Sequence, residues 1–183
     1  MNNSSLYLNN KFLNYTQALE SFHRLLFDGN YVKNENEFNE LIFKPLMEAI
    51  PSITTKDHKN AIIARLKYAN EYSQRKRLRE LLSRSEPVMT LFIHDFNEFI
   101  EQIVSTRNHF THFNKNSLNS NILKKSDLLY ATHRLRILLE TCLLQEIGLP
   151  IERIEKIYRR NDRLCYLRVP DTTKLISDDV IRE

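Results

Sequence analysis

Glycine and proline are scarce in this chain, with 2 and 5 of 183 residues. Few chain-breakers leave little room for tight hairpins, and they favour long helices. The same scarcity argues against a Walker-type or dinucleotide-binding loop, which needs several glycines for close backbone approach to phosphate. The two cysteines, Cys142 and Cys165, lack metal-site spacing. Cys142 falls on an apolar helical stripe and is expected to be a buried, reduced thiol of a cytoplasmic protein. No run approaches the roughly 20 apolar residues needed to span a bilayer, so no membrane association is expected. The polar start Met1-Asn2-Asn3-Ser4-Ser5 does not read as a signal peptide. No Gly-x-Ser-x-Gly elbow is present.

What remains is ordinary globular composition, 42% hydrophobic and 27% charged, in a chain long enough for one domain with a real core. Net charge is +4, mildly basic and compatible with a polyanionic partner. The basic residues cluster at Arg75-Lys76-Arg77-Leu78-Arg79 and at Arg159-Arg160-Asn161-Asp162-Arg163, each readable as a solvated helix face or as a nucleic-acid contact.

Hydrophobic periodicity predicts helix after helix. The first covers about residues 6–27 and the second about 35–50, with a kink or early break at Pro45. A third begins near Lys56 and continues or bends near Asn70 toward Leu82. Ser85-Glu86-Pro87 opens a fourth, with Phe92, Phe96, Phe99, Ile100, Ile103 and Val104 at three- and four-residue spacing. A polar loop over 115–121 leads to a fifth helix, N-capped by Ser126 and ended by Gly148. A short last helix spans about 150–158. The expected fold is an all-α antiparallel bundle of five to six helices over residues 1–160. Residues 161–183 are expected to form a loosely docked or disordered tail.

The chemistry-bearing stretch is Thr106-Arg107-Asn108-His109-Phe110-Thr111-His112-Phe113. Arg107 is seven residues after Ile100 and four after Ile103, so it continues the apolar stripe of the fourth helix. An arginine on a stripe meant for burial must find acceptors, which a cleft or a bound anion supplies. Arg107 and His112 are five apart and diverge by about 140° in a continuous helix. They converge if the arginine reaches round, if the helix loosens, or if two protomers share a groove. His109 and His112 with His94 or Asp95 have no helical i, i+4 pairing of the zincin kind, so no metal is expected. Glu20 and His23 lie three apart on the first helix, as a surface carboxylate and a satisfied histidine or as two groups facing one cleft.

Arg107-Asn108-x-x-x-His112 resembles the Arg-x4–6-His signature of HEPN domains, with its polar residue directly after the arginine. The chain is most similar to the ApeA-like HEPN group of bacterial anti-phage proteins. The similar stretches are Gln17-Ala18-Leu19-Glu20-Ser21-Phe22-His23-Arg24, Tyr68-Ala69-Asn70-Glu71 with Arg75 and Arg77-Leu78-Arg79-Glu80-Leu81-Leu82, the motif itself, and Leu135-Arg136-Ile137-Leu138-Leu139-Glu140 through Leu149. The resemblance implies a HEPN-type bundle that forms a homodimer, pairing two motifs in one groove, and RNA cleavage without metal or other cofactor. It implies that Arg107 holds the scissile phosphate, that His112 is the acid/base, and that Asn108 orients one or the other. His109, Glu20, Arg75, Arg77 and Arg79 are further candidates for substrate contact. A role in phage defence or as a toxin is expected, with an inhibitor or a larger defence protein as context. The alternative is a catalytically silent HEPN module for dimerisation, nucleotide or partner binding. A third reading is a basic helical nucleic-acid-binding domain. Some HEPN toxins carry a tyrosine two residues after the motif histidine; here Asn114 stands there, so control through a nucleotidylated tyrosine is not expected.

Overall fold

A computed structural model describes residues 3–112 and 121–169, with the main chain alone for 3–5 and 112. The imidazole of His112, most of the expected polar loop and the end of the expected tail lie outside the described residues. The described chain is helical, with one isolated antiparallel bridge, Asn30 to Glu71. The expected all-α bundle is what forms.

Three long helices build the core. α1 (Asn3–Leu26) packs along α8 (Lys125–Glu146), and α7 (Phe96–His112) packs against both α1 and α5 (Gln74–Arg84). Phe12, Leu19, Leu81, Leu82, Phe92, Ile100, Ile103, Leu135 and Leu138 are among the side chains that meet in one hydrophobic cluster. Among the described residues, no helix is long and apolar enough to cross a membrane.

The third predicted segment resolves into two helices. α4 (Lys56–Leu66) ends and α5 begins only at Gln74. Asn70 sits at the bend: its side chain accepts from Val32 N and donates to Val32 O, both at 2.8 Å. The Tyr72 N–H donates to Gly29 O at 2.7 Å. These bonds tie the two ends of residues 30–71 together at the flank of the bundle.

Of the two outcomes expected at Pro45, a kink or an early break, the early break does not occur. α2 (Glu35–Phe38) passes through a π-turn (Asn39–Phe43) directly into α3 (Lys44–Glu48). The Lys44 N–H reaches back five residues to Asn39 O. Widening the helix just before proline accommodates its ring and missing N–H. The fourth predicted helix is in fact split: α6 (Glu86–Met89) stops, and α7 starts anew at Phe96. Asp95 explains the restart, since its Oδ1 accepts from Asn97 N at 2.7 Å and Glu98 N at 3.1 Å.

Ser126 does not cap α8. It lies in the first turn, and Lys124 occupies the capping position without a side-chain bond. Gly148 does end the helix as expected, at φ 90°. Gly148 N donates to Gln145 O and Leu149 N to Leu144 O, the paired bonds of a Schellman motif. α9 (Ile151–Arg159) follows, and of the expected tail residues 161–169 are described. A 3₁₀ turn (Asp162–Leu167) buries Leu164 and Leu167, and Arg168 donates to the carbonyls of Tyr158, Arg159 and Asn161.

Candidate active site

The apolar stripe of α7 runs through Phe99, Ile100, Ile103 and Val104, all buried. Thr106 is also fully buried, and its hydroxyl accepts from Leu123 N at 2.9 Å, pinning the chain that enters α8 to the end of α7. Phe110 meets Phe12 of α1 edge to face, with ring centroids 6.0 Å apart. These contacts hold the last turns of α7 against the bundle. Arg107 therefore emerges from a braced helix, half-buried, where the stripe meets a gap between α1, α5 and α7.

Two adjoining clefts open at that gap. One, of about 430 Å³, is walled by Gln17, Glu20, Ser21 and Arg24 of α1, by Gln74 of α5, and by Arg107 and Thr111 of α7. The other, of about 300 Å³, is lined by Glu20, Ser73, Gln74, Arg75, Val104, Arg107 and Asn108. Arg107, Glu20 and Gln74 belong to both. The structure thus brings together four of the residues singled out from sequence: Arg107, Asn108, Glu20 and Arg75.

The arginines around the clefts differ in how their donors are used. Among the described residues, the Arg107 guanidinium makes one hydrogen bond, from Nη1 to Asn108 Oδ1 at 3.2 Å. A guanidinium carries five N–H donors, so Arg107 has donors to spare over open space. Arg24 is occupied by two carboxylates, Glu20 at 3.0 Å and Glu71 at 2.7 Å. Those hydrogen bonds, Glu71 first and then Glu20, push its pKa above the usual arginine value. Arg75 is bound in a two-pronged pair to Glu101, at 2.6 and 2.7 Å. The hydrogen bond from Arg75 in turn holds the Glu101 carboxyl below its ordinary pKa. Arg107 is the cation here most ready to accept an anion.

Glu20 shares both clefts with Arg107, and its negative charge would oppose a phosphate. The salt bridge from Arg24 offsets that charge. An ionised carboxylate only accepts hydrogen bonds. Toward a nucleic acid, Glu20 is therefore suited to a ribose hydroxyl rather than to the phosphate itself.

The basic run on α5 is not one surface. Arg79 is exposed, but Arg77 is only 2% exposed, and its guanidinium lies inside. Arg77 Nη1 meets His23 Nδ1 at 3.0 Å, Nε donates to Tyr72 O, and Nη2 donates to Gly29 O. Burial, ahead of the repulsion from Arg24, lowers its pKa. Arg77 therefore ties α5 to α1 rather than meeting substrate, which corrects the sequence expectation. His23 is fully buried, bonded to Glu80 at 2.7 Å through Nε2, and so does not share the cleft with Glu20.

His109 is half-buried, with its ring 5.8 Å from that of Phe110, and does not line the two clefts. His112 closes α7, and its imidazole lies outside the described residues. Among the described residues, no cluster of three or more His, Cys, Asp or Glu side chains gathers as a metal-holding group. Sequence reasoning does not single out Gln17, Arg24, Gln74 and Thr111. A polar row at 17, 20, 21 and 24, with helical three- and four-residue spacing on α1, is the signal that could have found two of them.

A family model described as Apea-like HEPN matches residues 13–153. That span contains every side chain that lines the two clefts. No curated protein matches the chain, and no solved structure does.

Proposed function

The chain belongs to the Apea-like HEPN family, and on that premise we propose that it is a metal-independent endoribonuclease acting in phage defence or as a toxin. The observation that carries this reading is Arg107: a half-buried guanidinium at the end of a braced helix, over two joined clefts, with donors that no described residue takes up. The cleft system is polar, as a sugar-phosphate chain requires.

In the proposed reaction, Arg107 binds a non-bridging oxygen of the scissile phosphate and stabilises the charge that builds on the phosphorane. Asn108, bonded to Arg107, holds the guanidinium in place. The ribose 2′-OH attacks phosphorus, and the P–O5′ bond breaks. The products are a 2′,3′-cyclic phosphate and a 5′-hydroxyl. His112 moves the proton, because an imidazole with an ordinary pKa near 6.5 passes protons both ways at neutral pH. Two copies of the motif in a homodimer groove complete the site in this reading.

Incubation of the purified chain with single-stranded and structured RNA in EDTA tests it. Cleavage leaving cyclic phosphate ends is expected, with a loss of about 100-fold or more in rate for Arg107→Ala and for His112→Ala. Cleavage that requires a divalent metal, or that survives His112→Ala, rules the mechanism out. RNA or nucleotide binding without cleavage points instead to a silent HEPN module.

A further inference from the structure

Residues 31–72 hang from the flank of the bundle as an arm without a core of its own. No side chain of residues 28–77 belongs to the central hydrophobic cluster. The π-turn, α3 and α4 contain no buried residue, and Phe38 is the arm's one buried side chain. Yet the arm is not polar. Leu41 is 68% exposed, Leu46 46% and Ile42 37%, with Pro45 and Ala49 exposed beside them.

The π-turn accounts for this. Phe38 and Phe43 are five apart, which brings them into phase across a widened turn, and Met47 follows four residues later. Phe38 and Phe43 line the inner groove of the arm with Lys67 and Asn70, and Met47 is half-buried. Leu41, Ile42, Pro45, Leu46 and Ala49 are left as a second apolar face, turned outward. A contiguous exposed apolar face of this kind marks an interaction surface.

Charge says what covers it. The first half of the arm carries Glu35, Glu37, Glu40 and Glu48 against Lys33 and Lys44, all exposed. The second half, α4 with Lys67 capping its end, carries Lys56, Lys59, Arg65 and Lys67 against Asp57, all exposed. Exposed Ala61 and Ala64, with Tyr68 just beyond the helix, give α4 a low apolar face of its own. One arm thus holds both an acidic, bulky face and a basic, shallow one. Those are the two halves of a self-complementary contact, and a two-fold axis satisfies both at once.

We propose that the arm docks a second copy of this chain, the acidic α2–α3 face of each protomer lying on the basic α4 of the other. Leu41, Ile42 and Leu46 fill the contact, and the opposite charges set its register. This contact is separate from the Arg107 clefts and does not depend on the ribonuclease reading.

Charge exchange tests it. In the full chain, Glu40→Lys with Glu48→Lys makes both faces basic, and Lys59→Glu with Arg65→Glu makes both acidic. All four positions are exposed, so the melting curves are expected to match wild type. Each variant alone should lose the arm-mediated step of association by at least about ten-fold in sedimentation velocity, with any dimer formed through the Arg107 groove kept. An equimolar mixture of the two should restore association as a mixed species, because both contacts are then complementary again. Leu41→Asp with Leu46→Asp should weaken association whatever the mixture. Variants that self-associate like wild type, a mixture that forms no preferred mixed species, or a wild type monomeric throughout would each overturn the proposal. RNA cleavage measured alongside separates the two readings: a wild type that cuts RNA but shows no arm-dependent association defeats this inference alone, and arm-dependent association without cutting defeats the ribonuclease reading alone.

Discussion

Arg77 shows how a residue's role can depend on partners far along the chain. Its guanidinium is accepted by His23, Tyr72 and Gly29, the first and last from the other side of a long insertion. A Cβ built on Gly29 would stand 2.4 Å from Arg77 Nη1. The tip of an arginine yields cheaply on a surface, but this one is buried and bonded on three sides. Gly29→Ala is therefore expected to destabilise the fold by about 1–3 kcal/mol, read as a lower urea midpoint with an unchanged slope. Glu80, on the far side of His23, offers a pH test. Burial pushes its pKa up, but the hydrogen bonds from Lys76 and His23 outweigh that and hold it below the ordinary 4.5. A carboxyl with a depressed folded-state pKa adds stability above its unfolded value, and that stability is lost as pH falls through the folded one. Glu80→Gln should therefore flatten the acid limb of the stability profile below about pH 4.5, as measured by urea melts across pH. None of this network is legible in Arg75-Lys76-Arg77-Leu78-Arg79, where local pattern gives an interior arginine and a surface one the same appearance. Arg107 is legible, because its place on the stripe of its own helix is a local fact.

At the level of elements, periodicity locates the helices well and their interruptions poorly. The stripe from Phe92 to Val104 is continuous in sequence, yet the helix restarts at Phe96 because Asp95 caps there. A capping aspartate inside an apolar run is weak against the run's periodicity, and only the hydrogen bonds reveal it. Gly148 is the clearer signal, and it isolates a backbone effect. It has φ 90°, and no atom lies within 4 Å of the point an alanine Cβ would occupy, so Gly148→Ala pays for conformation alone. A loss of about 1 kcal/mol is expected in thermal or urea unfolding. Thr106 is a stricter constraint. Thr106→Val keeps its shape but leaves Leu123 N without its acceptor, and a cost of about 1–3 kcal/mol is expected. Because that bond braces the end of α7 beside Arg107, RNA cleavage should fall in the same variant, while the arm variants leave it unchanged.

At the scale of the molecule, the sequence suggests one bundle in which every helix takes part, and this is where pattern and structure diverge most. Residues 35–48 and 56–66 carry apolar residues at helical spacing like helices of the core, but periodicity does not say what an apolar face meets. The structure answers that the central cluster is built without them. Their attachment is narrow: the bridge of Asn30 to Glu71, the Asn70 bonds to Val32 and the Tyr72 bond to Gly29. The Glu71 to Arg24 pair is partly exposed, and such pairs contribute about 1 kcal/mol or less. Directly opposed residues of an antiparallel bridge have Cα atoms roughly 5 Å apart, a gap that a few glycines can close. Replacing residues 31–70 by a short Gly-Ser connector is therefore expected to leave a cooperatively folded bundle. Its melting temperature should stay within a few degrees of the full chain when both are monomeric, about the shift that 1 kcal/mol produces in a domain of this size. Circular dichroism melts at low protein concentration measure this directly. Loss of cooperative unfolding in the shortened chain would mean that the arm stabilises the bundle, against its absence from the central cluster.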